Sequence, residues 1–326
     1  MIVSSGLEEA VFSTRPVRGL THNFYRYPAR FSPEFVRQTV LAFTSPSECV
    51  LDPFVGGGTT VVESLALGRR AIGIDINSLA YFATLVKTTP LSSGDVESIL
   101  LWASRVLELA QSDVAQNSCA KNGPPTNMPP ELGDFLMKAS RMAGCLRIPR
   151  QRRFAYCAVL RTGQLALDCR SRIPAVAEVK QIFKRLTKDM IRGLEEFVSM
   201  AAASQVPKNR ITSMRQVILG SAADSFVGRA VRRNPAKPTL VLTSPPYPGI
   251  HVLYNKWQVL GRRETAAHYQ LAGLNDGRGP SYYTMGSRSP RGADRYFENL
   301  YEVFGNLRQV VDSRALVVQL VGFPDQ

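Results

Sequence analysis

The sequence predicts an α/β fold, in which a parallel sheet is covered by helices and interrupted by a helical insertion. A strand, a glycine-rich turn, a helix and a second strand follow one another within residues 48–77. This is the βαβ pattern of a parallel sheet. Further strand-like runs begin near residue 216, after about 120 residues of mostly helical pattern.

The first group of elements begins with ECVLDPF (48–54), a short apolar run that ends at a glycine-rich segment. Such a run predicts a strand that leads into a turn. TTVVESLALG (59–68) has helical spacing and a glycine where a helix should end. RRAIGIDIN (69–77) predicts the next strand. The later predicted strands are QVILGSA (216–222), PTLVLTS (238–244) and RALVVQLVGF (314–323), with a helix over 296–311 before the last.

The insertion, residues 91–210, separates two parts of the predicted core, residues 1–90 and 211–326. Helical spacing extends over 95–110 and 175–201, around a proline-rich break. We therefore predict one α/β core with a helical region inserted into it.

The insertion also contains a dense cluster of positive charge. The chain has 40 basic and 26 acidic residues, a net charge of +14 and a pI near 9.9. Residues 138–172 alone hold nine basic side chains and one acid, Asp168. A clustered surplus of this kind is typical of proteins that bind phosphate backbones. A solvated basic surface would give the same composition.

Several classes of protein are disfavoured by the composition. The sequence has no run of about 18 uninterrupted apolar residues, so no membrane span is predicted. Its first residues, MIVSSGLEEAVFSTR, lack a basic segment followed by an apolar one, so a secretory signal is not expected. Five scattered cysteines and three isolated histidines predict neither a disulfide framework nor a metal site. A reducing, cytoplasmic setting fits these observations.

The segment LDPFVGGGTT (51–60) is the first candidate ligand site. It lies beyond the carboxyl end of a predicted strand and before a helix, where parallel sheets bind ligands. Its glycines would permit a close backbone approach, although it is neither a P-loop nor a GxGxxG motif. Asp75 ends the second strand and could accept hydrogen bonds from ribose hydroxyls, with a helix N-cap as the alternative role. Together these features predict a nucleoside-containing cofactor.

Four segments in a fixed order carry a more specific signal: NFYRYPARFSPEFV (23–36), DPFVGGGTT, GIDIN and TSPPY (243–247). They resemble the amino-group DNA methyltransferases, which methylate exocyclic nitrogens of bases with S-adenosylmethionine. The resemblance covers about residues 1–90 and 211–326, but not the insertion. It implies a Rossmann-like class I methyltransferase sheet. Such folds usually continue into a final antiparallel hairpin, so we expect either a shortened chain or a sheet edge that is built otherwise.

The resemblance also implies which residues hold the cofactor. Phe31 and Pro33 would flank its methionyl part, and Asp52 with the backbone of the glycine turn would hold its amino-acid end. Asp75 would take the ribose. Asp224 matches a position that commonly contacts the adenine, with a helix cap as an equal alternative. The predicted cofactor-binding residues are Phe31, Pro33, Asp52, Pro53, Phe54, Gly56, Gly58, Thr59, Asp75 and Asp224.

TSPPY is the predicted catalytic corner. An exocyclic amine is a poor nucleophile because its lone pair is delocalised into the ring. Acceptors against both N–H groups favour a more tetrahedral nitrogen, and the Ser244 side chain and Pro245 carbonyl are the predicted acceptors. Pro245 and Pro246 stiffen the corner, so the acceptors need little reorganisation. Tyr247 would offer a face to a base extruded from the duplex. A tight proline turn with a buried tyrosine is the structural alternative.

The serine in this corner favours cytosine N4 as the target, because related families with aspartate there more often methylate adenine N6. Adenine N6, an RNA or tRNA base, and a catalytically silent nucleic-acid-binding module are the alternatives. Methylation of a ring carbon is disfavoured, since the chain has no Pro-Cys dipeptide for a thiolate nucleophile.

The expected partner is double-stranded DNA, and a restriction or defence system is a further expected partner. In such enzymes target recognition commonly lies in an extra region, which here is the insertion. LRIPRQRRF (146–154) is its best candidate for phosphate contacts. The predicted DNA-binding residues are Arg147, Arg150, Arg152 and Arg153.

Overall fold

The computed structural model describes residues 5–13, 15–27, 30–108, 127–246, 256–261, 263–274 and 289–321. Within these residues it confirms the α/β class, with a central parallel sheet. The strands β1–β7 are Cys49–Asp52, Arg70–Asp75, Arg215–Leu219, Pro238–Thr243, Trp257–Val259, Arg263–Thr265 and Leu316–Gln319. The strands predicted from the sequence are β1, β2, β3, β4 and β7.

In chain order, the helices α1–α11 of the described residues are Ser5–Val11, Pro33–Phe43, Thr59–Ala66, Ser78–Lys87, Ser93–Glu108, Pro130–Gly144, Pro149–Leu167, Val176–Ala203, Ser225–Arg232, Ala267–Ala272 and Pro290–Arg308. None of these helices combines the length and apolarity that crossing a membrane would require. Four helices, α3, α5, α8 and α11, correspond to the helical patterns predicted over 59–68, 95–110, 175–201 and 296–311.

The central sheet has five parallel strands in the order β3-β2-β1-β4-β7. From β1 the chain moves outward to β2 and β3, and then returns to the other side of β1 with β4 and β7. The strand order therefore reverses between β1 and β4. In open parallel sheets ligands bind at such a reversal, outside the carboxyl ends of the strands.

Both faces of this sheet are covered, which explains why its inner strands are apolar without alternation. Every residue of β1 is buried, and nearly every residue of β4. Leu51 and Val241 pack with residues of α9 and α11 on one face. Val50 and Leu240 pack with residues of α2 on the other face. The carboxyl ends of the strands are thus held by a core on each side.

The chain divides into two compact units. One comprises Met1–Pro90, Glu195–His251 and Gly277–Gln326 and contains the parallel sheet; we call it the sheet unit. The other comprises Leu91–Leu194 and Val252–Asp276 and contains α5, α6, α7 and α10 with the antiparallel pair β5–β6; we call it the helical unit.

These units differ from the boundaries expected from the sequence. Residues 195–210 group with the sheet unit, and residues 252–276 group with the helical unit. In the helical unit the Ser140 hydroxyl donates to the Leu271 carbonyl at 2.5 Å. The Trp257 ring packs on Gly163 so closely that a Cβ there would lie 2.7 Å from it. Such tertiary contacts leave no simple pattern in the sequence, which places 252–276 among the strands of the core.

Candidate active site

The predicted site residues converge where three neighbouring strands end. Asp52 ends β1, Asp75 ends β2, and Thr243 ends β4 immediately before Ser244. Because β1 pairs in parallel with both β2 and β4, these ends lie at one edge of the sheet. The order of strands therefore brings together residues that are far apart in the sequence.

Asp52 links the three structures that form this edge. Its Oδ1 accepts hydrogen bonds from the Phe54 amide and the Thr243 hydroxyl, both at 3.1 Å. Its Oδ2 accepts one from the Thr60 hydroxyl at 2.6 Å. Burial raises the pKa of Asp52 to about 6, and these hydrogen bonds oppose the shift. With 1% of its surface exposed, Asp52 holds the turn and β4 together.

The glycine turn between β1 and α3 is closely approached by other protein atoms. Gly56 and Gly58 have φ values of +46° and +79°, which favour glycine. A Cβ on Gly57 would lie 3.1 Å from the Tyr27 Cβ, and one on Gly58 would lie 2.7 Å from the Thr84 hydroxyl. The sequence predicts these glycines as an approach for a ligand. In the structure they allow the close approach of Tyr27 and of Thr84 in α4.

Asp75 presents a half-buried carboxylate beside this turn. Its Oδ2 accepts from the Gly56 amide and its Oδ1 from the Asn77 amide, both at 2.8 Å. Burial raises the pKa of Asp75 to about 6, and the backbone hydrogen bonds oppose that shift. The side chain that caps α4 is Asn77, which accepts from the Leu79 amide at 2.8 Å, so the alternative role of Asp75 as the helix cap is wrong. An ionised carboxylate has about four acceptor sites, so further donors can bind Asp75.

A buried network of side chains fixes the N-terminal segment on α3. The Glu63 carboxylate, which is fully buried, lies 2.7 Å from His22 Nε2 and accepts from Arg37 Nε at 2.9 Å. Burial favours a higher pKa for Glu63, but the contacts with His22 and Arg37 together hold it below its ordinary value. Burial lowers the pKa of His22, so the imidazole is neutral at pH 7 and donates from Nε2. The sequence alone did not predict this network. Its only signal in the sequence is a glutamate, Glu63, within the apolar helix α3.

Lys87 was also missed by sequence reasoning. It is the last residue of α4, is 1% exposed, and donates from Nζ to the Gly57 carbonyl at 2.6 Å. A usable signal exists in the sequence. Lys87 follows Leu79 and Ala83 at intervals of four residues, which places it on the buried face of α4.

The predicted catalytic corner begins directly after β4. Ser244 is half-buried, Pro245 is buried and Pro246 is exposed, whereas Tyr247 lies outside the described residues. The preceding residue is held on two sides, because the Thr243 hydroxyl donates to Asp52 and its carbonyl accepts from the Leu320 amide at 3.0 Å. The start of the corner is thus tied to the same carboxylate that ties the glycine turn.

The other predicted cofactor residues occupy varied positions. Phe31 is 8% exposed and its ring lies 5.7 Å from that of Phe35. Asp224 is exposed and caps α9 by accepting from the Phe226 amide at 2.7 Å, so the capping role left open by the sequence is present. Pro33 and Thr59 are the first residues of α2 and α3, Pro53 is buried, and Phe54 is half-buried.

The four predicted DNA-binding arginines are not equivalent. Arg147 is exposed, and Arg152 and Arg153 are half-buried. Arg150 Nε lies 2.5 Å from Oδ2 of Asp95, a carboxylate that is 1% exposed. Burial would raise the pKa of Asp95, but hydrogen bonds from Arg150 and neighbouring polar groups lower it to about 2. Arg150 therefore neutralises a buried charge within the helical unit.

Cys49 can be assessed as a nucleophile. It lies within the run predicted as the first strand, and in the structure it is the first residue of β1 and fully buried. Burial raises the pKa of its thiol to about 12. Because the thiolate is the reactive form of cysteine, this thiol is not poised for nucleophilic attack on a base.

Comparisons with known proteins support the resemblance over part of the chain. Residues 8–84 match the family model described as DNA methylase. This methylase-like segment includes His22, Asp52, the glycine turn, Glu63 and Asp75, and it ends before Ser244. The likeness established by the family model is therefore confined to the predicted cofactor side of the site.

Individual relatives agree with the family model. The Type II methyltransferase M.MvaI of Kocuria varians is 36% identical over 83 residues, which cover 24% of this chain and 18% of the relative. The Type II methyltransferase M.BsoBI of Geobacillus stearothermophilus is 41% identical over 63 residues, 19% of this chain and 12% of the relative. The DNA adenine methyltransferase YhdJ of Escherichia coli (strain K12) is 39% identical over 62 residues, 19% of this chain and 21% of the relative. Each match spans a small share of the relative's length.

Proposed function

We propose that the chain is a DNA methyltransferase that transfers a methyl group from S-adenosylmethionine to an exocyclic amine, with cytosine N4 as the favoured target. The observation that carries the proposal is the Asp52 carboxylate, which joins the glycine turn, α3 and the strand leading to Ser244. This arrangement sets a predicted cofactor site beside a predicted amine-binding corner. The methylase-like segment supports the cofactor side independently.

The cofactor side fits the chemistry of a nucleoside with an amino-acid tail. Asp75 accepts from the Gly56 and Asn77 amides, and a carboxylate has about four acceptor sites, so it can also accept from a ribose hydroxyl. The first amides of α3 have no intrahelical acceptor and favour a carboxylate. Phe31 and Pro33 would flank the methionyl part, and Asp224 would accept from the adenine amine beside its capping bond. When bound, S-adenosylmethionine supplies an electrophilic methyl group.

The corner after β4 would prepare the amine. Ser244 Oγ and the Pro245 carbonyl would accept the two N–H hydrogens, so that the nitrogen lone pair points toward the methyl group. Transfer would form one N–C bond and break one S–C bond, and the nitrogen would release a proton to solvent water. Pro245 and Pro246 limit the motion of these acceptors, so that little reorganisation opposes the transfer. Tyr247 would provide a face for the extruded base.

Mass spectrometry of nucleosides tests this proposal. Duplex DNA incubated with the protein and S-adenosylmethionine should yield N4-methylcytosine. Ser244→Ala should slow transfer by about 100-fold or more while cofactor binding is kept. Ser213→Ala serves as the control, because that hydroxyl donates to the Arg210 carbonyl in the 3-10 helix Lys208–Met214 and takes no part in the site. Methylation of tRNA but not of DNA would contradict the proposal.

A second target, adenine N6, is favoured by one observation. A relative that matches this chain over 62 residues is named a DNA adenine methyltransferase. Both amines need two acceptors, so the corner itself serves either base. N6-methyladenine as the sole product of the same experiment would replace cytosine by adenine and leave the rest of the proposal standing.

The setting of the activity follows from the relatives and from the charge. Two relatives are named Type II methyltransferases, which supports a restriction-modification setting for this chain. The net charge of +14 supports double-stranded DNA as the substrate. We propose that exposed basic residues of the helical unit, Arg147 among them, contact its phosphates.

A further inference from the structure

We infer that Lys87 is a positioning residue that holds the glycine turn for the carboxylate end of the cofactor. The inference rests on the proposed function, because it concerns the same cofactor site. It adds a residue that lies outside the methylase-like segment and outside every motif in the sequence.

The burial of Lys87 is the first observation. Lysine is almost never fully buried unless its ammonium is paired, since removing the charge from water costs several kcal/mol. Lys87 is 1% exposed, and its Nζ donates to the Gly57 carbonyl at 2.6 Å. The Lys87 ammonium thus binds a backbone carbonyl in the middle of the glycine turn.

The position of that carbonyl is the second observation. Gly57 directly precedes Gly58, the left-handed residue from which α3 begins. A free carbonyl here could turn toward the site and repel an anion that approaches the first amides of α3. Because the Lys87 ammonium holds this oxygen, the turn keeps its donors on the side where a carboxylate would bind.

The charges around the turn are the third observation. Nζ of Lys87 lies 3.9 Å, and Cβ of Arg30 3.6 Å, from the position that a Cβ on Gly57 would take. The Arg30 guanidinium donates to the His22 carbonyl at 3.1 Å. The Lys87 ammonium and the Asp75 carboxylate bind neighbouring residues of the turn, Gly57 and Gly56. An amino-acid tail carries one charge of each sign, so a turn bordered by both signs suits it.

The test compares two ligands in binding calorimetry. S-adenosylhomocysteine keeps the amino-acid tail, and 5′-methylthioadenosine lacks it. Lys87→Met should weaken the first by about 10- to 100-fold, the range for a hydrogen bond that involves a charge, and leave the second nearly unchanged. Lys87→Arg, which keeps the charge, should retain more affinity for S-adenosylhomocysteine than Lys87→Met does.

A matched control is Lys180→Met, because Lys180 also donates to a backbone carbonyl, that of Leu107, at 3.1 Å in the helical unit. It should change neither affinity. Equal weakening of both ligands by Lys87→Met would show a merely structural role and overturn the inference, and so would unchanged affinity for both. An equal loss in Lys87→Arg and Lys87→Met would overturn it as well.

A measurement on the unaltered chain covers the case in which Lys87→Met does not fold. The protein should bind S-adenosylmethionine about ten-fold or more tightly than decarboxylated S-adenosylmethionine. Equal affinities would overturn the inference. Failure of the unaltered chain to bind S-adenosylmethionine at all would instead contradict the proposed function, so the two failures are distinguishable.

Discussion

Buried aspartates in the two units have opposite electrostatic surroundings. In the sheet unit, Asp52 and Asp75 accept hydrogen bonds from hydroxyls and backbone amides, and burial raises the pKa of each to about 6. In the helical unit, Asp95 accepts from the guanidinium of Arg150, from the Gln151 amide and from Ser92. Despite its burial, the pKa of Asp95 is lowered to about 2.

The difference separates a carboxylate that serves the fold from one that can serve a ligand. The Arg150 guanidinium offsets the desolvation cost of the Asp95 carboxylate and balances its charge. Neutral donors offset the desolvation of Asp75 only in part, so an added cation or hydroxyl would still be favourable. Asp52 shares this electrostatic condition, but it is 1% exposed whereas Asp75 is half-buried. Asp75 is thus the carboxylate within reach of a ligand.

The largest expected effect comes from Asp95→Asn. Replacing the buried carboxylate removes or weakens its charge-assisted hydrogen bonds with Arg150, Gln151 and Ser92, and should lower the free energy of unfolding by about 3 kcal/mol. Cofactor affinity should not change. Urea unfolding followed by circular dichroism measures the first quantity, and calorimetry the second.

The control for Asp95→Asn lies in the same unit. Glu178 pairs with Arg172 at 2.8 Å, but their side chains are 53% and 77% exposed. Glu178→Gln should therefore cost less than about 1 kcal/mol. Similar losses in both variants would show that Asp95 contributes no more than a surface ion pair, and would remove the contrast between the units.

The next effect in size is that of Asp75→Asn on cofactor affinity. An amide accepts more weakly than a carboxylate, and a ribose hydroxyl would lose a charged acceptor, so affinity should fall about 10- to 100-fold. The free energy of unfolding should fall by about 1 kcal/mol, because an Asn side chain has one acceptor oxygen and leaves one of the two backbone amides without its acceptor. Titration calorimetry with S-adenosylhomocysteine gives the affinity. Unchanged affinity would show that Asp75 does not hold the ribose.

The sequence could predict those features of the fold and the site that depend on local patterns. The strands, the βαβ unit and the position of Asp75 follow from periodicity and from the glycine turn, which are local patterns. Ser244 was placed at the same edge because parallel strands bring their carboxyl ends together. All of this depends on residues that are close in the sequence, or on a general rule of topology.

The buried contacts could not be predicted in this way. Asp52 and Thr243 are joined by a hydrogen bond although 191 positions separate them, and Glu63 meets His22 across 41. A carboxylate in a motif looks the same whether it faces a ligand or the core. For that reason the sequence revealed neither the hydrogen bonds of Asp52 nor the ion pair of Arg150. Only the packing shows which charged side chains already have partners within the protein.

The pH dependence of cofactor binding should show the raised pKa of Asp75. The ionised form accepts from the ribose, so affinity should be full above pH 7 and fall as the pH drops through about 6. At pH 5, one unit below that pKa, affinity should be about ten-fold weaker. In the folded state the raised pKa favours the protonated form. Its contribution to stability is therefore present below the ordinary value for aspartate and is lost as the pH rises through about 6.

Asp75→Asn is the control for this profile, because it removes one of the two carboxylates of the described residues whose pKa is raised to about 6. The profile of the variant should be flatter, and what remains belongs to Asp52. An identical profile in the variant and in the unaltered chain would assign the whole dependence to groups other than Asp75.

The smallest expected effect concerns DNA binding by two arginines of the helical unit. Arg147 is exposed, whereas Arg150 is paired with the Asp95 carboxylate. If Arg147 contacts a phosphate, Arg147→Gln should reduce the slope of log affinity against log salt by about one. Arg150→Gln should reduce it less, because its charge is already balanced within the unit. Fluorescence anisotropy of labelled duplex DNA at several salt concentrations measures both slopes.

The two arginine variants form a matched pair, since they remove the same group three residues apart. Arg150→Gln should lower the free energy of unfolding, because it leaves the Asp95 carboxylate buried without its cation. Arg147→Gln should leave stability unchanged. Equal salt slopes in the two variants would mean that the ion pair with Asp95 does not withhold Arg150 from DNA. The buried aspartate would then stabilise the helical unit without selecting which of its cations reach the phosphates.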